Sequence, residues 1–421
     1  MLKRIHIQHL SLGMYLHEFC GSWMEHPFWR TRFLLEDPQD LARIRETQIR
    51  EVWIDTDKGL DVAAGTATVS RAEADAQVDS DFQQLQAEPA APERPPPLLA
   101  PGVPASFAQE LRHAAAVCTN AKRAVISMFG EARMGQAIDA AGAQGLVNDI
   151  SDSIRRHPHA LLSLARIKTA DEYTYMHSVA VCALMVALAR EIGLDEDGCH
   201  LAGLAGLLHD LGKAAIPLEV LNKPGKLSDA EFAVMRGHPA AGHAMLMGSG
   251  VPAPVLDACL HHHEKVDGTG YPHRLAGAQI STLARMTAIC DVYDAITSDR
   301  PYKAGWDPAE SLRRMAEWAR DHFDERLFRA FVKSIGIYPV GSLVRLASGR
   351  LGVVTEQSPG TLLAPRVKAF YSTKSDMRIP PYELDLSAPG CKEKIEGRED
   401  PDRWQFPDLH QLWSSLPHQP W

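Results

Sequence analysis

The chain lacks a basic surplus, a cysteine framework and a long apolar run, and each absence removes a class of function. Across 421 residues, 44 Lys and Arg face 53 Asp and Glu, a formal charge of −9. Wrapping a nucleic-acid polymer draws on an excess of cations to neutralise phosphates, so no such partner is expected. A locally basic pocket for a small anion stays open. The seven cysteines (Cys20, Cys118, Cys182, Cys199, Cys259, Cys290, Cys391) include no CxxC pair. Several sit in apolar helical runs, which suits reduced, buried thiols in a cytosolic protein. No apolar stretch approaches the ~20 residues of a membrane helix. The opening Met1-Leu2-Lys3-Arg4-Ile5-His6 is broken by polar residues and lacks the hydrophobic region of a signal peptide. No membrane span and a cytoplasmic location are therefore expected. Histidine, by contrast, is concentrated: eight of the 19 lie between 177 and 263, about twice the share that length alone would give.

The length and a hydrophobic content of 45% allow two or three domains. Residues 1–62 read as a small α+β module. Ile5, Ile7 and Leu10 alternate like a first strand, Ser11 to Met14 makes a turn, and Asp37-Pro38 precedes a short helix at 39–47. Val52 to Asp55 closes the unit, and Trp23, Phe28, Trp29 and Phe33 supply bulk. No cluster of catalytic character falls here, so a regulatory or docking role is expected. Residues 63–105 turn to Ala, Pro, Asp and Glu, with proline clusters at 95–97 and 101–104. They read as a linker with some helix around 70–87.

Helix is expected from 106 to 336. Spacing of three to four predicts helices over 107–128 and 133–156, a strongly apolar one over 171–192 closed by Gly193, and one over 281–298 capped by Ser281. Ser228-Asp229-Ala230-Glu231 is a capping box. Residues 337–421 turn to short alternating stretches around Leu343, Val353 and Val367, a small β-rich appendage. Beyond Leu386 the chain is expected to be partly ordered, with Trp404, Phe406, Trp413 and Trp421 available for docking. The fold class is thus mainly α, a helical bundle flanked by a small α+β domain and a β appendage.

The chemistry-bearing residues sit in the helical region. His177 shares a helical face with Val181, Leu184 and Leu188. A single inward histidine is more often a satisfied core residue than a ligand, but this one has company. His209 and Asp210 end an apolar run, with Gly212 as a plausible stop. Adjacent helical residues diverge by about 100°, so such a pair can ligate one ion through the imidazole and bridge to a second through the carboxylate. His238 precedes Pro239, at a helix end. At most two of His261, His262 and His263 can share an inward sector, and His262 and His263 are favoured as ligands. Asp291 falls inside a hydrophobic helix, where an unpaired carboxylate is costly. Asp294, one turn on, is placed to orient a ligand or a water.

Imidazoles and carboxylates without thiolate suit Fe or Mn, leave Zn, Ni or Mg as further candidates, and disfavour a structural cysteine-type zinc site. Two such ions about 3.5–4 Å apart serve phosphoryl hydrolysis. Lys213 is either an ammonium for a phosphate oxygen or a solvated charge at a helix end. The loop Asp267-Gly268-Thr269-Gly270-Tyr271-Pro272 is either a tight turn or a close backbone approach with an aromatic lip. Arg300 and Lys303 are either an anion grip or surface charge.

Taken together, His209-Asp210-Leu211-Gly212-Lys213, His262-His263-Glu264, Asp267 to Pro272, and Asp291-Val292-Tyr293-Asp294-Ala295 through Arg300-Pro301-Tyr302-Lys303 resemble the HD-GYP domain. This is the bacterial branch of the HD phosphohydrolases that hydrolyses cyclic di-GMP. The resemblance spans roughly 165–336, and residues 1–62 are similar to the small domain that often precedes it. It implies metal ligation by His177, His209, Asp210, His238, His262, His263 and Asp291, catalytic roles for His209, Asp210 and Lys213, and substrate contacts from Lys213, Arg300, Lys303, Gly270 and Tyr271. It further implies iron or manganese opening cyclic di-GMP to linear pGpG, and in some members on to GMP. Members with a third ion carry a glutamate one turn before the first histidine, where this chain has Tyr173. Two ions and mainly pGpG are therefore expected. The second reading is a non-catalytic cyclic di-GMP receptor that docks GGDEF-type partners through the Gly270-Tyr271-Pro272 loop, and a third is an HD nucleotidase of other specificity. No ligand position is lost, which favours the enzyme. The sequence leaves homodimerisation open.

Overall fold

The computed structural model describes all residues except 21–31, 48, 64, 88–106, 166–172, 224, 226, 299–304, 359, 405, 407 and 415–421. Trp23, Phe28, Trp29, both proline clusters and Trp421 lie outside the described residues. The N-terminal unit is an antiparallel sheet of β1 (Leu2–His6), β2 (Tyr15–Phe19), β3 (Phe33–Leu34), β4 (Glu51–Asp55) and β5 (Val69–Ser70), with α1 (Pro38–Arg45) between β3 and β4. The strand order is β3-β2-β4-β1-β5. The expected first strand stops at His6, whose Nδ1 accepts a hydrogen bond from the Gln8 amide and starts a 3-10 turn. Val52, Trp53, Ile54 and Asp55 are all buried because β4 is central and covered on both faces. Ile5, Leu16, Val52 and Ile54 pack with Ile44 of α1 in one core.

α2 (Arg71–Ala87) occupies the front of the stretch read as a linker. Its stripe Ala74, Val78, Phe82 and Leu85 is buried, and the last three join the main helical core. That core is built from α3 (Phe107–Arg133), α4 (Ala140–Arg156), α5 (Pro158–Ala165), α6 (Tyr173–Glu191) and α7 (Glu196–Leu208). It continues through α8 (Leu218–Leu221), α9 (Asp229–Met235), α10 (His238–Leu246), α11 (Ala253–His261), α12 (Thr282–Thr297), α13 (Pro308–His322) and α14 (Glu325–Ile335). The helix expected from 133 begins at 140. Gly135, at φ 69°, ends α3, and the Asp139 side chain accepts from the Gly142 amide at 3.0 Å to start α4. Every residue of α6 from Met176 to Ala189 is buried, as a helix apolar on all sides must be. It packs against α3, α4, α5, α7, α12 and α14.

The C-terminal sheet holds β6 (Leu343–Leu346), β7 (Arg350–Ser358), β8 (Thr361–Ser372), β9 (Met377–Asp385) and β10 (Ile395–Arg398) in the order β10-β6-β7-β8-β9, followed by α15 (Pro401–Trp404) and α16 (Leu409–Ser414). Described residues beyond Leu386 dock on this sheet. β10 pairs with β6, and Trp413 is buried against Leu343, Leu351 and Phe370. No described helix is long and apolar enough to cross a membrane.

Candidate metal centre

Separate helices deliver the candidate ligands to one point. α6 carries His177, α7 ends at His209, and Asp210 leads into a 3-10 turn at Leu211–Ala215. His238 opens α10, His262 caps α11 with His263 next, and Asp291 lies inside α12. Gly212 lets the 3-10 turn meet α10 backbone to backbone: a Cβ there would lie 1.9 Å from the His238 carbonyl oxygen and 2.4 Å from the Gly242 nitrogen. His177, His209, Asp210, His238 and His262 are at most 1% exposed, and Asp291 is 6% exposed.

Asp210 is shared between two groups. Its Oδ2 lies 3.4 Å from both His177 Nε2 and His209 Nε2, while Oδ1 lies 3.2 Å from His238 Nε2 and 4.0 Å from His262 Nε2. Asp291 behaves similarly, with Oδ1 3.0 Å from His177 Nε2 and Oδ2 3.9 Å from His263 Nδ1. The donor atoms of His177, His209 and Asp291 lie within 4.8 Å of one another, as do those of His238, His262 and His263. A third such group, His209, Asp210 and His262, joins the two.

The helix ends fix the imidazole tautomers. His209, His238 and His262 each donate Nδ1–H to the carbonyl three residues earlier, Gly206, Met235 and Cys259, at 2.8 Å. Those carbonyls are available because a helix leaves its last ones unpaired. Each Nε2 lone pair is thereby turned into the centre. His177 donates Nδ1–H to Asp294 Oδ2 at 2.6 Å, which orients it from behind.

Burial opposes every charge here, yet the neighbours decide. For His177, contacts with Asp210, Asp291 and Asp294 overcome burial and raise the pKa to about 10. His209 is also raised against burial, by Asp210 and Asp291. Asp210 is held well below the carboxylate range despite burial, by Lys213, His209 and His177, and Asp291 likewise by His177 and His209. Burial and the neighbouring imidazoles push His262 far down and His263 to about 3. These two are neutral at pH 7 and can offer a lone pair to a cation, whereas His177 and His209, raised by the carboxylates, would have to release a proton to a bound cation.

One atom tests whether the donor set fits a metal. His209 Nε2 is buried with no hydrogen-bond partner among the described residues. A buried polar atom without a partner is costly, and a cation would satisfy it together with the two carboxylates beside it. The set of imidazole nitrogens and carboxylate oxygens, without thiolate, suits a divalent cation.

Lys213 turns inward to hydrogen-bond Asp210 Oδ2, and its side chain is 21% exposed. The glycine loop is stapled by buried Glu264, whose carboxylate accepts from the His273 amide at 2.6 Å and the Leu275 amide at 3.0 Å. Gly270 passes so close that a Cβ would lie 2.4 Å from Glu264 Cα. Tyr271 stacks on His263, with ring centroids 4.8 Å apart. His261 is engaged elsewhere, by Asp257 at 2.8 Å and His273 at 2.9 Å. Arg300 and Lys303 lie outside the described residues, as does Glu172, while Tyr173 begins α6. Three residues were not anticipated: Glu264 as the staple, Arg236 over the Tyr271 ring, and Arg50, which reaches Asp267 of the loop at 3.1 Å. The available signals were a carboxylate directly after the histidine pair and a cation two residues before His238. Nothing in the sequence pointed to Arg50.

The family described as HD domain matches residues 150–327, and a domain of unknown function (DUF3391) matches residues 2–143. A cyclic di-GMP phosphodiesterase of Pseudomonas aeruginosa is 55% identical over 420 residues, 99% of this chain and 96% of that protein. A 3'3'-cGAMP-specific phosphodiesterase of Vibrio cholerae is 34% identical over 176 residues, 42% of this chain and 41% of its own. Among solved structures, an HDG"Y"P protein from Bdellovibrio bacteriovorus aligns with 79% of this chain and 99% of its own, at 16% identity and a TM-score of 0.45.

Proposed function

This chain belongs to the HD-GYP family of HD-domain phosphodiesterases, and on that premise we propose that it opens cyclic di-GMP, mainly to linear pGpG. The observation that carries the reading is the Asp210 carboxylate, with one oxygen toward His177 and His209 and the other toward His238 and His262. In this reading His177, His209, Asp210 and Asp291 would hold one divalent ion, and His238, His262 and His263, with Asp210 shared, would hold the second. Bound there, iron or manganese supplies Lewis acidity, lowering the pKa of water and neutralising phosphoryl oxygens. The protein's own groups do the positioning. Asp294 keeps the His177 ring in place through Nδ1. The Lys213 ammonium, already against Asp210, is placed to donate to a non-bridging phosphate oxygen as charge grows on it. Hydrolysis joins a water oxygen to phosphorus and breaks one ring P–O3′ bond, with the proton passing to O3′. Supporting cyclic di-GMP is the Pseudomonas aeruginosa enzyme, similar over nearly the whole chain.

Stopping at pGpG rests on Tyr173 at the place where the family's third-ion members have glutamate. Incubating metal-replete protein with cyclic di-GMP and resolving products by chromatography tests this. pGpG should accumulate, and rapid, complete conversion to GMP would count against a two-ion site. The double substitution His209→Ala with Asp210→Ala should abolish turnover, and unchanged hydrolysis would remove the metal mechanism.

A further inference from the structure

Beside the centre lies a cavity of about 100 Å³ whose walls combine His262 and His263 with the aromatic rings of Phe232, Tyr271, Trp318 and Phe323. Arg236 also lines it. The guanidinium sits 4.5 Å from the centroid of Tyr271 and 5.8 Å from that of Phe232, and it has no acidic partner among the described residues. Two rings thus hold a planar, five-donor fork in one orientation, and no carboxylate among the described residues uses its donors. Gly237 separates it from His238, whose Nε2 faces Asp210 Oδ1 at 3.2 Å. The same short stretch therefore serves both the centre and the cavity.

We propose that Arg236 reads the O6/N7 edge of a guanine seated in this aromatic cavity, and so sets the base preference of the enzyme. The inference rests on the cyclic di-GMP reading and deepens it. The division of labour follows from the chemistry of the two walls. Phosphate is drawn to the centre and Lys213, whereas an aromatic-lined cavity receives a purine ring. An arginine fork matches the two acceptors of guanine, while adenine presents an amino donor at the same place and repels it. Arg236 sets specificity: it touches the base and not the reacting phosphorus. Base reading matters in this family, since one relative is named for cyclic di-GMP and another for 3'3'-cGAMP.

The test measures kcat and KM on cyclic di-GMP and cyclic di-AMP for metal-loaded wild type, Arg236→Ala and Arg236→Lys, with bound metal quantified in each. A lost bidentate contact is worth about a tenfold to hundredfold change. Arg236→Ala should raise the KM for cyclic di-GMP by that factor, leave kcat within about threefold, and shrink the guanine-over-adenine preference accordingly. Arg236→Lys keeps the charge without the fork, so its preference should stay near that of the alanine variant while its metal content matches wild type. Should the alanine variant lose metal, the lysine variant gives the same comparison. Equal losses on both substrates would make Arg236 a phosphate clamp and overturn the proposal, as would full recovery of preference by lysine. Failure of wild type to open cyclic di-GMP would instead remove the underlying function.

Discussion

Asp294 holds His177 at 2.6 Å from the far side of the ring. Asp294→Asn keeps the shape and removes the charge that orients the ring. A 10–100-fold loss in metal affinity or turnover is expected, as for other residues behind a ligand. Metal titration with parallel kinetics checks it, and wild-type affinity would mean that His177 is positioned by packing alone. Gly212 is the second sensitive residue. Any side chain there meets the His238 carbonyl, so Gly212→Ala must part the 3-10 turn from α10. A loss of roughly 1–3 kcal/mol, with a fall in bound metal, should appear in thermal unfolding and metal analysis. The ligand candidates were legible as types, because imidazole and carboxylate in apolar helices demand an explanation. Their supports were less legible. Gly212 reads from sequence as a helix stop, and only the packed structure makes it a point of backbone contact. The Asp294 pairing was foreseeable as a shared helical face, but its partner ring was not.

At the scale of elements, α3 and α4 are tied by Glu110, whose carboxylate accepts from Ser153 Oγ at 2.7 Å and from Arg156 Nε at 2.8 Å. Burial would raise the Glu110 pKa, but Arg156 and Ser153 outweigh it and hold it below the usual value. A depressed carboxylate contributes stability that is present above its unfolded pKa, about 4.3, and disappears as pH falls through the folded value. Glu110→Gln should therefore cost about 1.5–3 kcal/mol at neutral pH. The gap to wild type should narrow as pH drops below about 4.3, read by denaturant midpoints at several pH values. A gap independent of pH would assign the effect to shape. Helix existence here was legible from three-to-four spacing, whereas the start of α4 was not. The apolar pattern runs on through 134–139, and Gly135 with the Asp139 cap interrupts it for backbone reasons that periodicity does not register.

At the scale of the molecule, the first sheet touches the glycine loop through Arg50 and Asp267. The Arg50 side chain is half exposed, so its ion pair contributes little to stability, about 0.2–1 kcal/mol. Arg50→Ala should leave unfolding nearly unchanged and shift KM for cyclic di-GMP by up to about fivefold, with bound metal constant; an unaltered KM would make the contact incidental. This link joins residues far apart in sequence, one in a module without catalytic character, which is why no motif could announce it. α6 has a different consequence. It is enclosed by six other helices and carries His177 in its first turns, so it cannot slide or rotate without dismantling the interior. On warming a metal-loaded sample, the decay of turnover and the disappearance of helical circular dichroism should superimpose, and an enzyme that went silent well before it melted would mean the chemistry sits on a softer foundation than this helix.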